Sequence, residues 1–164
     1  MKLLLAMVTT LALAVPAAAQ QTIFVVRHAE RADASAGAPP TMASDPDLSE
    51  KGKARAQALA TVLQDAKITA IYTTQYKRTV QTADPLARAL AIQPTALDAR
   101  ETAGLIEKLK AGGNALVVGH SNTVGPILQQ LGVADAITLG DEDYDNIFVV
   151  VRSEKPTLIR LHFH

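Results

Sequence analysis

Short apolar runs rich in β-branched residues alternate along this chain with longer segments of helical pattern. Three of the runs are TIFVVR at 22–27, AIYT at 70–73 and ALVVG at 115–119. Strands that are apolar throughout need helices on both faces, so the alternation predicts an α/β fold, a three-layer α/β/α sandwich. Two final runs, 147–152 and 157–162, are separated by a turn and predict a hairpin. The central sheet is therefore predicted to be mostly parallel and mixed.

The predicted helices have identifiable starts and breaks. Ser49 is predicted to cap a helix over 50–65, with Val62 among the apolar residues of its core face. A second helix over 78–91 contains Pro85, which predicts a break into two pieces. Two more helices are predicted, at 102–110 and 123–131.

Residues 1–19 have the pattern of an export signal. A lysine at the second position precedes an apolar stretch over 3–15, and Pro16 ends that stretch before three alanines. The stretch is shorter than the about 20 residues of a transmembrane helix. We expect cleavage after Ala19, a periplasmic or secreted location, and one domain over 20–164. An N-terminal anchor that stays uncleaved is the alternative.

The charge balance limits the classes of partner. The chain has 16 Lys and Arg against 16 Asp and Glu, and cleavage removes one lysine, which leaves 15 − 16 = −1. A nearly neutral domain has no global field to attract nucleic acid or an anionic membrane, so neither is an expected partner of the cleaved chain. The absence of cysteine excludes disulfides, thiolate metal sites and a cysteine nucleophile. The sequence leaves the oligomeric state open.

A histidine follows two of the predicted strands. His28 comes directly after the first run and His120 after the third. In an α/β sheet, ligands bind beyond the carboxyl ends of the strands. Each histidine alone is more often an ordinary loop or core residue. Two of the four histidines at equivalent strand ends, with arginines beside them, indicate a site.

Those arginines are Arg27 and Arg31, on either side of His28, and Arg78 after the second strand. A guanidinium group binds phosphate oxygens through its fork and stays charged at all relevant pH. A solvated surface charge is the alternative for Arg31 and Arg78. Arg27 ends a buried apolar strand and needs a partner there, which a bound phosphate would supply. We therefore predict a phosphate site formed by the three arginines and His120.

Four segments match, in order, the motifs of one enzyme family. They are RHAER at 27–31, LSEKG at 48–52, the stretch from Ile71 to Ala83 with its arginine, and VVGH at 117–120. They resemble the Arg-His-Gly signature, the helix start, the Ser-x-x-x-Arg-x-x-x-Thr-Ala segment and the second-histidine strand of the histidine phosphatase (phosphoglycerate-mutase-like) superfamily. The resemblance covers nearly all of the chain after residue 19.

The resemblance implies a phosphatase that hydrolyses a phosphate monoester through a phosphohistidine on His28. Arg27, Arg78 and His120 would hold the phosphoryl oxygens. Arg31 stands at the offset of a second phosphate-binding arginine in the acid-phosphatase and phytase branch. The implied substrate is a small phosphorylated molecule. No metal or other cofactor is expected, because the arginines and His120 take the role of a cation.

The general acid is the least defined part of that expectation. The acid-phosphatase branch has an aspartate after the second histidine, where this chain has Ser121, a hydroxyl too weak for the role. Glu101 is the candidate acid and Asp98 its substitute, although a glutamate at a helix start is also favoured by the helix dipole. Some small members of the superfamily have no dedicated acid and favour good leaving groups.

Three other functions stay open. A phosphoglycerate mutase would need more chain to form a lid over the phosphoenzyme. A phosphohistidine or phosphoprotein phosphatase suits the doubtful acid, because the P–N bond is labile. A non-catalytic phosphate-binding module is favoured by Ala29, which stands where the signature has glycine.

Of the nearby acidic residues, Glu30 is expected to organise Arg27 or a backbone group, and those at 141–145 to lie in a solvated loop.

Overall fold

The computed structural model describes residues 20–32 and 45–164. The predicted signal peptide and most of the loop after Arg31 therefore lie outside the described residues. Within them, the elements in chain order are β1 (Thr22–Arg27), α1 (Glu50–Leu63), β2 (Ile68–Thr74), α2 (Lys77–Leu90), β3 (Thr95–Leu97), α3 (Thr102–Leu109), β4 (Asn114–Gly119), α4 (Ser121–Gln130), β5 (Asn146–Val151) and β6 (Thr157–His162). No helix in this part of the chain has the length and apolar character needed to cross a bilayer.

The strands form one six-stranded sheet in the order β3-β2-β4-β1-β5-β6. The first four of these are parallel, β5 runs antiparallel to β1, and β6 runs antiparallel to β5. The predicted mixed sheet and its final hairpin are confirmed. Strands β1 and β4 are neighbours at the centre, with Arg27 paired to Gly119 in register. The residues that follow these two strands therefore lie side by side at the carboxyl edge.

Both faces of the sheet are covered, as the apolar runs predict. Along β1, Val25 belongs to the core on the side of α3 and α4, and Val26 to the core on the side of α1 and α2. The same alternation occurs in β4, where Val117 and Val118 face opposite layers. Because each central strand is buried on both faces, its end is held rigidly and positions the residues that follow it.

Two predictions about the helices are wrong. Val62 is 52% exposed, because the core face of α1 is filled by its other apolar residues, including the small Ala56 and Ala60 that let α1 pack close to α2. Helix α2 runs unbroken through Pro85. The proline removes only one backbone N–H donor, and burial of one face of α2 stabilises the remaining turns. It ends at Ala91, which has a left-handed conformation with φ 52°.

Candidate active site

The carboxyl ends of β1 and β4 place the two predicted histidines against each other. The backbone N–H of His28 donates to the carbonyl oxygen of Gly119 over 2.9 Å, which continues the parallel pairing by one residue. The imidazole centroids of His28 and His120 are 5.3 Å apart in an edge-on arrangement. Their exposures are 5% and 3%. The site is thus buried at the centre of the sheet edge.

Hydrogen bonding fixes the tautomer of His28. Its Nδ1 lies 2.8 Å from the carbonyl oxygen of Ala29, and because a carbonyl only accepts, Nδ1 carries the proton and Nε2 a lone pair. The backbone of Ala29 is held in turn, since its N–H donates to the hydroxyl of Thr82 over 2.9 Å. Burial, opposed by the Ala29 hydrogen bond and assisted by the nearby His120 and arginines, lowers the pKa of His28 to about 3. The ring is therefore neutral, as a nucleophile must be.

Arg27 connects the site to the acidic loop before β5. Its Nη1 donates to the carbonyl oxygens of Gly140 and Asp141 over 2.7 and 3.0 Å, and its Cζ lies 4.0 Å from the ring centroid of Tyr144. Its buried Nε has no hydrogen-bond partner among the described residues. Of the acidic residues of the loop, Asp141 and Glu142 are exposed as predicted and Asp143 and Asp145 are partly buried, and the loop backbone and Tyr144 hold the guanidinium at the site.

Arg78 reaches the same edge from the first turn of α2. Its side chain is 3% exposed, and its Cζ lies 4.3 Å from the ring centroid of Tyr76. Asp45 stands beside it, with Oδ1 3.8 Å from Nη1 of Arg78, and the same oxygen accepts the backbone N–H of Lys77 over 2.8 Å. Arg31 is also buried and pairs with Leu48 in an isolated bridge, where its role as a phosphate ligand stays a prediction.

His120 is held on one side only. Its Nε2 lies 3.0 Å from the hydroxyl oxygen of Thr74, and its backbone N–H donates to the hydroxyl of Thr123 over 2.8 Å. Its Nδ1 is buried with no hydrogen-bond partner in the described part of the chain. Burial, followed by the charges of Arg78 and Arg27, lowers the pKa of His120 to about 4. His120 is thus a neutral ring with one buried nitrogen that lacks a partner among the described residues.

Glu30 was expected to organise Arg27 or a backbone group, and the main partner of its carboxylate is instead Arg55. Its carboxylate accepts from Nε and Nη2 of Arg55, the shortest contact being 2.7 Å, and this pair holds the signature segment to α1. The backbone of Glu30 is bound as well, because its carbonyl oxygen accepts the N–H of Ser49 over 2.9 Å. A Cβ at Gly52 would collide with that oxygen, so the helix start requires glycine there.

The candidate acids lie in a neighbouring pocket, whose lining includes neither of the two histidines nor the site arginines. Glu101 is exposed and occupies the position before the first residue of α3, without a side-chain cap bond. Asp98 accepts from Nε of Arg100 over 3.1 Å, and this hydrogen bond lowers the pKa of Asp98. Both carboxylates line a pocket that also reaches Thr74 and Gly119, next to His120. A carboxylate held by an arginine retains its charge, which makes Asp98 a poor substitute for Glu101 as a proton donor.

Three residues of the site were missed by the sequence analysis: Thr74, Tyr76 and Tyr144. The chain has only three tyrosines, and the rings of two of them pack against the guanidinium groups of Arg27 and Arg78. That scarcity is a usable signal for Tyr76, which lies inside a recognised motif. Tyr144 is surrounded by acidic residues whose pattern indicates a solvated loop, so nothing local identifies it. Among the described residues, no three or more His, Asp and Glu side chains form a group that could hold a metal ion.

Comparisons with known proteins identify the family and the fold. Residues 23–107 match the model of the histidine phosphatase superfamily (branch 1). No curated protein has a significant match. Among solved structures, a phosphoglycerate mutase from Bacillus anthracis is 17% identical, covers 87% of this chain and 92% of its own, and has a TM-score of 0.68.

Two phosphatases share the fold at similar distance. A mycobacterial glucosyl-3-phosphoglycerate phosphatase with VO3 is 14% identical over 84% of this chain and 96% of its own, with a TM-score of 0.67. The protein histidine phosphatase SixA with tungstate is 18% identical over 86% of this chain and 96% of its own, with a TM-score of 0.64. At these identities the similarity establishes the fold alone.

Proposed function

The chain belongs to the histidine phosphatase superfamily, and from that premise we propose that it hydrolyses a phosphate monoester through a phosphohistidine on His28. One observation carries the proposal. The Nδ1 proton of His28 is committed to the carbonyl of Ala29, so the Nε2 lone pair is free to attack. His120 and two arginines surround the place where the phosphoryl group would be transferred.

The reaction has two balanced steps. In the first, Nε2 of His28 forms a bond to phosphorus while the bond to the leaving oxygen breaks, and the leaving oxygen takes the electron pair. Arg27, Arg78 and His120 offset the charge on the other three oxygens. In the second, water attacks phosphorus and gives a proton to the carboxylate that protonated the leaving oxygen, the P–N bond breaks, and its electron pair returns to Nε2. Inorganic phosphate leaves and His28 is again neutral.

Glu101 is the proposed donor of the proton that the leaving oxygen needs. It lines the pocket beside Thr74 and Gly119, so a leaving group that extends from the phosphate toward β3 would pass it. A phosphohistidine or phosphoprotein is the second candidate substrate. It is favoured by the exposure of Glu101 and by Ser121 after the second histidine, because a P–N bond needs less assistance from a positioned acid.

An activity assay with histidine variants tests the function. The chain starting at Gln20 is assayed on p-nitrophenyl phosphate, sugar and nucleotide phosphates, and phosphohistidine, beside His28→Asn and the exposed control His164→Asn. We expect turnover that His28→Asn abolishes and His164→Asn retains, with a phosphoenzyme that is stable to base and labile to acid. Phosphate binding without any turnover would instead identify a binding module.

Export is a separate part of the proposal. The supporting pattern is the apolar stretch and the alanines before Gln20. Expression of the full chain in a bacterium, with fractionation and mass measurement, is expected to give a periplasmic or secreted product that begins near residue 20. A full-length product retained in the membrane fraction would support the uncleaved anchor.

A further inference from the structure

Two buried threonines link His120 to the protein backbone. Thr74 ends β2 and Thr79 lies in the first turn of α2, and their hydroxyl oxygens are 2.9 Å apart. The hydroxyl oxygen of Thr74 is 3.0 Å from Nε2 of His120. The hydroxyl oxygen of Thr79 is 2.8 Å from the carbonyl oxygen of Tyr76 and 3.2 Å from the backbone nitrogen of Thr74. These contacts form one chain from the backbone to the imidazole.

The protons of this chain have two consistent arrangements. Each hydroxyl has one proton, and the neutral ring of His120 has one. In the first arrangement Thr79 donates to the carbonyl of Tyr76, Thr74 to Thr79, and Nε2 of His120 to Thr74. In the second, Thr79 donates to Thr74 and Thr74 to Nε2, so the ring proton is on Nδ1. The carbonyl of Tyr76 still accepts two backbone N–H groups, from Thr79 at 3.0 Å and Val80 at 3.2 Å.

A bound phosphoryl group discriminates between the two arrangements. Nδ1 of His120 is the ring nitrogen without a hydrogen-bond partner among the described residues, so it is the one available to a ligand. In the first arrangement it presents a lone pair, which repels a phosphate oxygen. In the second it presents an N–H, and the O–H dipoles of both threonines point along the chain toward the anion.

We propose that Thr74 is a positioning residue that holds His120 protonated at Nδ1 when phosphate is bound, and that Thr79 sets the direction of the Thr74 hydroxyl. This inference rests on the proposed function of the same site. It assigns Nδ1–H of His120 as a donor to the phosphoryl oxygens during transfer to His28. Both threonines are assigned a role that acts through His120 and not through direct contact with the phosphoryl group.

Kinetic measurements test the role of the hydroxyl. Thr74→Val keeps the branched shape but cannot donate, and we expect kcat/KM to fall about 10- to 100-fold, as for a lost hydrogen bond to a developing charge. The loss is expected to be equal for good and poor leaving groups, because His120 acts on the phosphoryl oxygens. Thr74→Ser restores the donor and is expected within about threefold of the parent. Thr69→Val, on the exposed far end of the same strand, is the control.

A spectroscopic measurement tests the tautomer and needs no turnover. The chain starting at Gln20 is labelled with 15N-histidine and saturated with inorganic phosphate, and His120→Asn assigns the signals among only four histidines. Long-range 15N–1H spectra are expected to show His120 protonated at Nδ1 in the parent and in Thr74→Ser, and a downfield shift of the Nε2 resonance in Thr74→Val, because that lone pair loses its hydroxyl donor.

An Nε2–H ring in the phosphate-bound parent would overturn the proposal, as would an unchanged Nε2 resonance and rate in Thr74→Val. Where Thr74→Val does not fold, Thr74→Ala replaces it, with the same expected loss in kcat/KM and the same shift of the Nε2 resonance. A parent with the Nδ1–H tautomer but without turnover on any substrate would contradict the phosphatase function and leave this inference standing.

Discussion

The phosphate side of the site and its leaving-group side are built differently. His28 and His120 follow the two central strands, which are buried on both faces, and each imidazole is buried and held at one ring nitrogen. Glu101 follows β3, a three-residue strand at the edge of the sheet, and its side chain is exposed. A charge-stabilising site must be rigid before the substrate arrives, whereas a proton donor only has to reach the leaving oxygen.

The largest effect is expected from removing a charge on the phosphate side. Arg78→Met keeps the length and apolar stem but loses the guanidinium, and we expect kcat/KM on p-nitrophenyl phosphate to fall about 10³-fold. Arg88→Met, on the same helix but in an exposed pair with Asp84, is expected to stay within twofold. Comparable losses in the two variants would mean that Arg78 acts through helix stability and not through phosphate.

On the leaving-group side, the expected effect depends on the substrate. Glu101→Gln removes the proposed proton donor, so we expect kcat to fall about 10²-fold on an alkyl phosphate and little on p-nitrophenyl phosphate, whose leaving oxygen needs no proton. Asp98→Asn, on the same pocket but held by Arg100, serves as the control. Equal losses on both substrates would assign Glu101 a structural role, and the two sides of the site would then not differ in their dependence on the leaving group.

Acid is expected to destabilise the phosphate side more than the leaving-group side. Between pH 6.5 and about 3 the unfolded His28 binds a proton that the folded ring does not, so the free energy of unfolding falls as pH falls through this window. At pH 5, which is 1.5 units below the ordinary pKa of histidine, the free energy of unfolding is expected to be about 2 kcal/mol lower than at neutral pH. Urea unfolding at pH 7 and 5 in phosphate-free buffer is expected to show this loss reduced in His28→Asn and unchanged in His164→Asn.

The same contrast explains what could be predicted from the sequence. Central strands are apolar throughout, so β1, β4 and the histidines that follow them have a strong pattern, and the three-layer fold follows from it. Strand β3 has three mostly exposed residues and pairs only at an edge, which leaves no periodic signal. The leaving-group side was therefore the part of the site that the sequence located least well.

Long-range contacts account for the remaining errors. The loop at 141–145 has the composition of a solvated segment, yet its backbone and Tyr144 hold Arg27 across more than a hundred residues of chain. Glu30 was expected to organise Arg27 or a backbone group, but its carboxylate pairs with Arg55, 25 residues further on. In both cases the partner is chosen by tertiary packing, which local residue patterns do not encode.

The smallest expected effect concerns Asp45, a carboxylate at the margin of the phosphate side. Asp45→Asn keeps an oxygen to cap the N–H of Lys77 and removes the negative charge 3.8 Å from Arg78. The aspartate is about one-third exposed, so we expect inorganic phosphate to inhibit about two- to threefold more strongly, with the gain shrinking at high salt. Asp84→Asn on the outer face of α2 is the matched control. Weaker inhibition in Asp45→Asn would show that the charge serves to orient Arg78, and the rigid phosphate side would then extend to this loop.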